Sequence, residues 1–135
     1  MQQKQLPIGY YLKLADNLLT KGIDEIQSQY GLNRIEWQVL NSIYEKQEVL
    51  KSEILELMKP LADNQSVETI LAKIIDKSQV EFKNNLLALT TKGKELHNSC
   101  FETQKDFRKK AINNISEADY QTTISTLQKM IANIS

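Results

Sequence analysis

The fold of this chain is decided by residues 63–89, which read DNQSVETILAKIIDKSQVEFKNNLLAL. In the first half of this stretch, apolar residues recur every three or four positions, as they do along the buried face of an amphipathic helix. These apolar positions are Val67, Ile70, Leu71, Ile74 and Ile75. The spacing predicts a helix that begins at Asp63 or Asn64, because either side chain can accept a hydrogen bond from a free amide of the first turn.

The second half of the stretch changes its period to two residues. Apolar and polar residues alternate on both sides of the pair Asn84-Asn85, and the apolar members are Val80, Phe82, Leu87 and Leu89. Asn tolerates the positive φ that a two-residue turn between antiparallel strands requires. The pattern therefore predicts a short β-hairpin directly after the helix.

Two more helices are predicted immediately before this stretch. Asn33 can cap the first of them, Glu36 completes a capping box three residues later, and the helix extends to about Tyr44. A shorter helix covers Ser52–Met58 and ends before Pro60, which lacks the amide hydrogen that a continuing helix needs. Helix, short helix, turn, helix and hairpin in this order are typical of a winged helix-turn-helix.

Long amphipathic helices flank this unit on both sides. The first covers 8–30 and ends at Gly31, the fifth covers about 90–111, and Ser116 with Asp119 has the capping-box spacing that opens a sixth. A winged domain of this size cannot bury all of these apolar stripes within one chain. We therefore expect the flanking helices to pack against the same helices of a second copy, in a homodimer.

The predicted fold class is mainly α with a small β-hairpin: a winged helix-turn-helix with N- and C-terminal dimerisation helices. We expect a single domain over 1–135, with the winged helix-turn-helix at about 32–90 and the dimerisation helices at 6–31 and 90–134. The composition agrees, since 41% of the 135 residues are hydrophobic and 25% are charged, while four Gly and two Pro are too few for an all-β fold.

Charge and cysteine content limit the possible partners and the compartment. The formal net charge is zero, which argues against the strong, indiscriminate nucleic-acid binding of very basic proteins. The single cysteine, Cys100, cannot form an intramolecular disulfide, and the sequence has neither an apolar signal segment nor a membrane-spanning run. We therefore expect a cytoplasmic protein with no membrane partner.

Three parts of the sequence resemble the MarR family of bacterial transcriptional regulators. They are residues 30–32 (YGL) followed by 36–40 (EWQVL), the helix at 67–75, and residues 89–96 (LTTKGKEL). The last string resembles the leucine-threonine-x-x-glycine junction between wing and dimer helix in that family. The resemblance covers about residues 8–134 and implies a homodimeric transcriptional regulator that binds double-stranded DNA.

The sequence also departs from that family in three places. Family members usually carry a longer wing with an Asp-x-Arg motif whose arginine enters the minor groove, whereas residues 83–86 (KNNL) form nearly all of the wing here. Residues 78–80 read Ser-Gln-Val where a Gly-Leu-Val turn is usual, and Glu68 stands where small or basic residues are common. A second interpretation therefore stays open: a relative that does not bind DNA and acts as a ligand-binding or protein-interaction dimer.

Polar residues that the buried stripe leaves outward on the helix at 64–76 are the candidates for base contact. Asn and Gln can read adenine, Thr can contact a thymine methyl group, and Lys can contact guanine or phosphate. These candidates are Asn64, Gln65, Ser66, Thr69 and Lys73. Phosphate contacts are expected from Arg34, Lys51, Ser52, Lys77 and Lys83. The alternative is an ordinary solvated helix face, which needs the same residue types.

Four aromatic residues of the first two helices suggest a ligand site. Tyr10, Tyr11, Tyr30 and Trp37 lie near the place where the MarR family commonly forms a pocket for small aromatic effectors. The resemblance therefore implies a small aromatic ligand bound by these residues. The alternative is that they belong to the core, as aromatic residues at helical spacing usually do.

The remaining chemistry of the sequence points away from catalysis. His97 is the only histidine and shares a helix face with Cys100, but two ligands are too few for a metal site, so we expect structural roles and no cofactor. A redox role of Cys100 would need an exposed thiol with a lowered pKa. The sequence has no Gly-rich phosphate loop, no HExxH motif and no nucleophile with a second histidine, so we expect no enzymatic activity. A helical-bundle enzyme or metal carrier would require a metal near His97.

Overall fold

The computed structural model describes residues 4–135, in which six helices surround three short strands. The elements are α1 (Ile8–Gln29), α2 (Arg34–Lys46), β1 (Val49–Leu50), α3 (Lys51–Met58), α4 (Asn64–Asp76), β2 (Val80–Lys83), β3 (Leu86–Leu89), α5 (Thr91–Ala111) and α6 (Glu117–Ile134). The predicted fold class is confirmed, because a helix-turn-helix is followed directly by a hairpin and lies between long helices.

The helices begin where the capping residues of the sequence place them. The Asn33 side chain accepts a hydrogen bond from the Glu36 amide at 2.8 Å, and Oε1 of Glu36 accepts one from the Asn33 amide at 3.1 Å. Asp63, rather than Asn64, caps α4 by accepting from the Ser66 amide at 2.7 Å. This hydrogen bond lowers the pKa of the Asp63 carboxyl group, because it stabilises the charged form.

Helix α4 ends in a turn that normally favours glycine. The amide of Ser78 donates to the carbonyl of Ile75 and the amide of Gln79 donates to the carbonyl of Ile74, which is the bonding pattern of a Schellman motif. Ser78 has a φ of 62° in this motif. The turn is therefore kept although a serine occupies the left-handed position.

The wing is a three-stranded antiparallel sheet in the order β1-β3-β2. Asn84 and Asn85 have φ values of 55° and 65°, so they form the predicted two-residue turn. The sequence did not predict β1, whose Val49 pairs with Leu87. A strand of two residues is too short to show an alternating pattern, so its pairing depends on the hairpin that it lies beside.

The core lies between the helix-turn-helix and the wing. Helix α2 contributes Val39, Leu40 and Ile43, each fully buried, and α3 contributes the equally buried Ile54. Other core residues include Val67, Leu71 and Ile74 of α4 and Leu87 of β3. The apolar stripe predicted for α4 therefore fixes which face of that helix turns toward solvent.

The first turn of α5 packs directly on the end of the α4–β2 turn. A Cβ atom at Gly93 would lie 1.9 Å from the carbonyl oxygen of Gln79, which also accepts a hydrogen bond from the Thr90 amide at 3.1 Å. Thr90 caps α5 by accepting from the Gly93 amide. Only glycine at position 93 lets the helix approach the backbone this closely.

The long terminal helices leave large apolar side chains in solvent. Helix α6 has no buried residue, and the exposed fractions of Ile131 and Ile134 are 64% and 85%. The exposed apolar residues of α1 are Ile8, Tyr10, Tyr11, Leu12, Leu14, Leu18 and Leu19. Nothing within residues 4–135 of the same chain covers these faces. Among these residues, none of the helices has both the length and the apolar character needed to cross a lipid bilayer.

Candidate nucleic-acid interface

The helix-turn-helix is formed by α3, a tight turn and α4. The amides of Leu61 and Ala62 both donate to the carbonyl of Met58, which closes the turn before the cap of α4. Val67, Leu71 and Ile74 of α4 are almost completely buried, so the opposite face of this helix lies on the surface. Such a face is what a recognition helix presents to a DNA groove.

The N-terminal part of α4 carries most of the predicted base-contacting residues in exposed positions. Asn64, Gln65, Ser66 and Thr69 are all exposed. The hydroxyl of Thr69 donates to the carbonyl of Gln65 at 3.0 Å, so its oxygen can still accept a hydrogen bond. Together with Glu68, these four residues form one polar surface, which is here called the α4 face.

Lys73, which is also exposed, forms an ion pair that the sequence did not predict. Its ammonium group lies 2.7 Å from Oε2 of Glu36, a glutamate that is 5% exposed. The other carboxylate oxygen of Glu36 serves the capping box of α2, so a single side chain joins the start of α2 to α4. Lys73 is thus exposed, as predicted, but its charge is paired with Glu36. Sequence reasoning assigned only the capping role to Glu36.

Lys51 and Glu68 form an ion pair between α3 and α4. The ammonium group of Lys51 lies 2.7 Å from Oε1 of Glu68, and 37% and 50% of the two side chains are exposed. The same ammonium group lies 5.8 Å from the centroid of the Phe82 ring on the wing. The pair therefore sits where the helix-turn-helix and the wing meet, and Lys51 offsets the charge of Glu68.

The remaining residues predicted to contact phosphate are divided between two regions. Ser52, Lys77 and Lys83 are exposed at the start of α3, the end of α4 and the tip of the wing. Arg34 instead pairs with Asp24 of α1 through contacts of 3.0 and 3.2 Å, and lines a groove between the long helices. Because Arg34 is paired with Asp24 and lines this groove, its position does not support the predicted phosphate contact.

The aromatic residues predicted to form a ligand pocket do not share a cavity. Tyr10 and Tyr11 pack edge to face near the start of α1, where both are about half exposed. The hydroxyl of Tyr30 bonds to the hydroxyl of Thr103 at 2.7 Å. Only Trp37 lines a large groove. The three tyrosines lie outside that groove, and a ligand site formed by all four aromatic residues stays a prediction.

This groove lies between α1, α2, α5 and the start of α6, and has a volume of about 830 Å³. Its apolar wall includes Leu18, Leu19, Ile23, Trp37, Phe107, Ile112 and Tyr120, with Arg34 and Arg108 also in the lining. The Nε2 of Gln27 donates to Oε1 of Gln104 at 3.4 Å, and both side chains are buried. The Oε1 of Gln27 has no hydrogen-bond partner within residues 4–135. The sequence signal for these residues was two glutamines within apolar helix faces, which the prediction did not use.

His97 and Cys100 are buried in α5, as structural residues would be. The His97 ring stacks on Tyr44 at a centroid distance of 3.8 Å and on Trp37 at 5.0 Å, while its Nε2 lies 2.7 Å from Oδ1 of Asn41. Burial lowers the pKa of His97. Burial also raises the pKa of the Cys100 thiol, which has an exposed fraction of 0%. No cluster of three metal-ligating side chains occurs among residues 4–135.

Several solved structures have the same fold over nearly the whole chain. A mutant of S. aureus MepR is 14% identical, with a TM-score of 0.80 over 96% of this chain and 100% of that chain. A MarR family protein of Mycobacterium tuberculosis, solved in complex with DNA, is 18% identical, with a TM-score of 0.72 over 93% of this chain and 98% of its own. Reduced MarR from E. coli is 19% identical, with a TM-score of 0.69 over 94% and 95%.

Comparisons at the level of sequence add no assignment. No protein-family model matches the chain. No curated protein matches it either. The structural likeness covers nearly the whole of both chains, so this chain has the winged-helix fold of MarR regulators from α1 to α6.

Proposed function

We propose that this chain, which has the fold of MarR regulators, is a dimeric transcriptional regulator that binds double-stranded DNA sequence-specifically. The observation that carries the proposal is the α4 face, which combines a buried apolar stripe with exposed Asn64, Gln65 and Thr69 on the second helix of a helix-turn-helix. Side chains of these types read adenine and thymine in the major groove. Structures of the same fold contain DNA in the M. tuberculosis protein and an oligodeoxyribonucleotide in S. aureus MepR.

The dimer is proposed from the apolar faces of α1 and α6. Exposed apolar residues occupy the first half of α1 and run along α6, in which no residue is buried by the same chain. Contiguous apolar faces of this extent mark interaction surfaces, and a two-fold dimer covers the same surface on both copies. Two copies of α4 would then read half-sites about 10 base pairs apart, on one side of the duplex.

Control by a small aromatic ligand is a further part of the proposal. The groove beside Trp37 is largely apolar, includes Gln27, whose Oε1 is buried without a partner among the described residues, and lies between the proposed dimer helices and α2. A ligand there would alter DNA binding only by fitting one separation of the two α4 helices better than another. Titration with benzoate, followed by the fluorescence of the single tryptophan, tests this part separately.

A mobility-shift experiment tests the DNA-binding proposal. The purified protein is mixed at low ionic strength with labelled DNA from upstream of its own gene, and then challenged with an excess of unrelated duplex. We expect a shifted band that survives the competitor and weakens in a Gln65→Ala variant. If no shift occurs, or if the competitor removes it as readily as the specific duplex does, sequence-specific binding is ruled out.

A second candidate function is a dimer that binds a ligand or another protein without binding DNA. The observation that favours it is the charge on α4, where Glu68 and Asp76 are exposed and Lys73 is paired with Glu36. The wing also lacks an arginine. The mobility-shift experiment separates the two candidates, because this one predicts no shift while the dimer persists.

A further inference from the structure

We propose that Glu68 is a specificity-determining residue, which selects cytosine at one position of each half-site. This inference rests on the proposed DNA-binding function and names one base that α4 reads. Glu68 lies in the N-terminal half of α4, the part of a recognition helix that contacts base edges. Because Val67 and Leu71 are buried on one side, the Glu68 side chain is held on the exposed side.

The chemistry of a carboxylate limits what Glu68 can read. An ionised carboxylate only accepts hydrogen bonds. In the major groove, guanine presents two acceptors and thymine presents an acceptor and a methyl group, so neither offers Glu68 a donor. Cytosine presents its N4 amino group, whereas adenine presents an amino group beside the acceptor N7. A single carboxylate is therefore best matched by cytosine.

A carboxylate that reads a base must be held in one position, and Lys51 holds that of Glu68. Its ammonium group contacts Oε1 of Glu68 at 2.7 Å and lies over the Phe82 ring of the wing, so three elements fix the place of one carboxylate. The contact involves only one of the two carboxylate oxygens. The positive charge of Lys51 also offsets the repulsion between Glu68 and the nearby phosphates. Lys51 is thus a positioning residue for Glu68.

The competing interpretation is that Glu68 only repels DNA, and that the ion pair is a surface contact. Repulsion of the phosphate backbone does not depend on sequence. It predicts that removing the carboxylate strengthens binding to every duplex by the same factor. Base readout predicts a change at one position of the site, whatever happens to the overall affinity.

The test is a selection of bound duplexes from a random-sequence pool by four full-length proteins. These are the wild type, Glu68→Ala, Glu68→Gln and, as a control with the same loss of charge on the same helix, Asp76→Asn. We expect the wild type and Asp76→Asn to prefer cytosine by about tenfold at one position of each half-site. Glu68→Ala should lose this preference, and Glu68→Gln should move it to adenine, which glutamine binds bidentately.

Two results would overturn the inference. If Glu68→Ala and Glu68→Gln select the same sequences as the wild type, the carboxylate reads no base, and the proposed DNA-binding function survives without this detail. If the wild type and Asp76→Asn select no sequence at all, the proposed function fails and this inference fails with it.

A variant of Lys51 tests the positioning role. Lys51→Ala should broaden the preference at the same position, and Lys51→Arg should restore it, because arginine keeps a donor for Glu68. A uniform loss of affinity with an unchanged base preference in Lys51→Ala would mean that Lys51 contacts phosphate only.

Discussion

At the scale of single residues, the most connected side chain at the candidate interface is Glu36. One of its oxygens closes the capping box with Asn33, and the other binds the ammonium group of Lys73 at 2.7 Å. The carboxylate is almost completely buried, so removing a partner leaves a charged acceptor without compensation. The helix that we propose to enter DNA is therefore tied to α2 by one glutamate.

Replacement of Glu36 by alanine should lower the free energy of unfolding by about 1–3 kcal/mol, since a cap and a charge-assisted hydrogen bond are both lost. Urea denaturation followed by circular dichroism measures the change. Glu102 is exposed, so Glu102→Ala serves as the control. Its free energy of unfolding should stay within about 0.5 kcal/mol of the wild-type value. Equal stability of the two variants would show that the Glu36 contacts contribute nothing.

The lowered pKa of His97 predicts how the stability of the folded protein depends on pH. Burial lowers its pKa in the folded protein, although Asn98 and Glu45 act in the opposite direction. The imidazole of the unfolded chain, whose pKa is near 6.5, therefore binds its proton first as the pH falls. Protonation of the unfolded state favours unfolding, so the contribution of neutral His97 is present above about pH 7 and is lost as the pH falls below it.

The measurement is the midpoint of urea unfolding at pH 7.5 and at pH 5.5, for the wild type and His97→Gln. Glutamine keeps a donor for Asn41 but cannot titrate. The wild type should lose more stability than the variant over this interval. If both proteins lose the same amount, the pH dependence arises from groups other than His97.

At the scale of elements, the junction between the wing and α5 is fixed by backbone contact. The Gln79 carbonyl is held by the Thr90 amide and faces Gly93 so closely that no side chain fits between them. This contact explains why position 93, within the string LTTKGKEL, is a glycine. It also sets the direction in which α5 leaves the helix-turn-helix.

Gly93→Ala should therefore lower the free energy of unfolding by about 1–3 kcal/mol or more, because the helix or the turn must move to admit the methyl group. Gly9→Ala is the matched control, since no described atom lies within 4 Å of its added Cβ atom. That variant should be unchanged or slightly more stable, because glycine is unfavourable inside a helix. Thermal unfolding measures the stability of both variants. A Gly93→Ala variant as stable as Gly9→Ala would contradict the packing described.

The elements themselves could be predicted from sequence because their signals are local. The caps at Asn33, Thr90 and Ser116, the stripe of α4 and the Asn84-Asn85 turn each depend on residues a few positions apart. The contacts that were not predicted involve partners more distant in sequence. Lys73 and Arg34 were predicted to contact DNA, and their ion pairs with Glu36 and Asp24 have no local sequence signal.

The surroundings of the four aromatic residues depend on distant partners as well. Helical spacing shows that Tyr10, Tyr11 and Tyr30 share an element with the groove, but it does not show which neighbouring helix each ring faces. The contacts of Tyr30 with Thr103 of α5, 73 positions away, and of Trp37 with His97 are long-range and leave no local pattern. A single sequence contains no information of that kind.

At the scale of the whole molecule, the proposal depends on a second copy. Apolar residues are exposed in the first half of α1, from Ile8 to Leu19, and along α6, and a monomer with such surfaces would be prone to association. The proposed dimer buries these faces and places two α4 helices on one side of the assembly. Dimerisation and DNA reading are therefore linked through the geometry of α5.

Ile131→Asp should weaken the dimer, because Ile131 is 64% exposed in the single chain and lies on the apolar face of α6. Ser125→Asp introduces the same charge on the opposite face of that helix and should leave the dimer intact. Sedimentation equilibrium gives the mass of both variants. A monomeric wild type, or two variants with equal dimer affinity, would contradict the proposed interface.

The measurement that tests the central claim most directly is the affinity of the wild-type protein for DNA from upstream of its own gene, as a function of salt concentration. Lys77 and Lys83 of two subunits are the cations that we expect to contact phosphates, since Glu68 offsets the charge of Lys51, so log affinity should fall against log salt with a slope of about −4. Fluorescence anisotropy between about 50 and 200 mM salt should show a loss of roughly a hundredfold. The absence of salt-sensitive binding at the lowest salt concentration would contradict the claim that this dimer is a DNA-binding regulator.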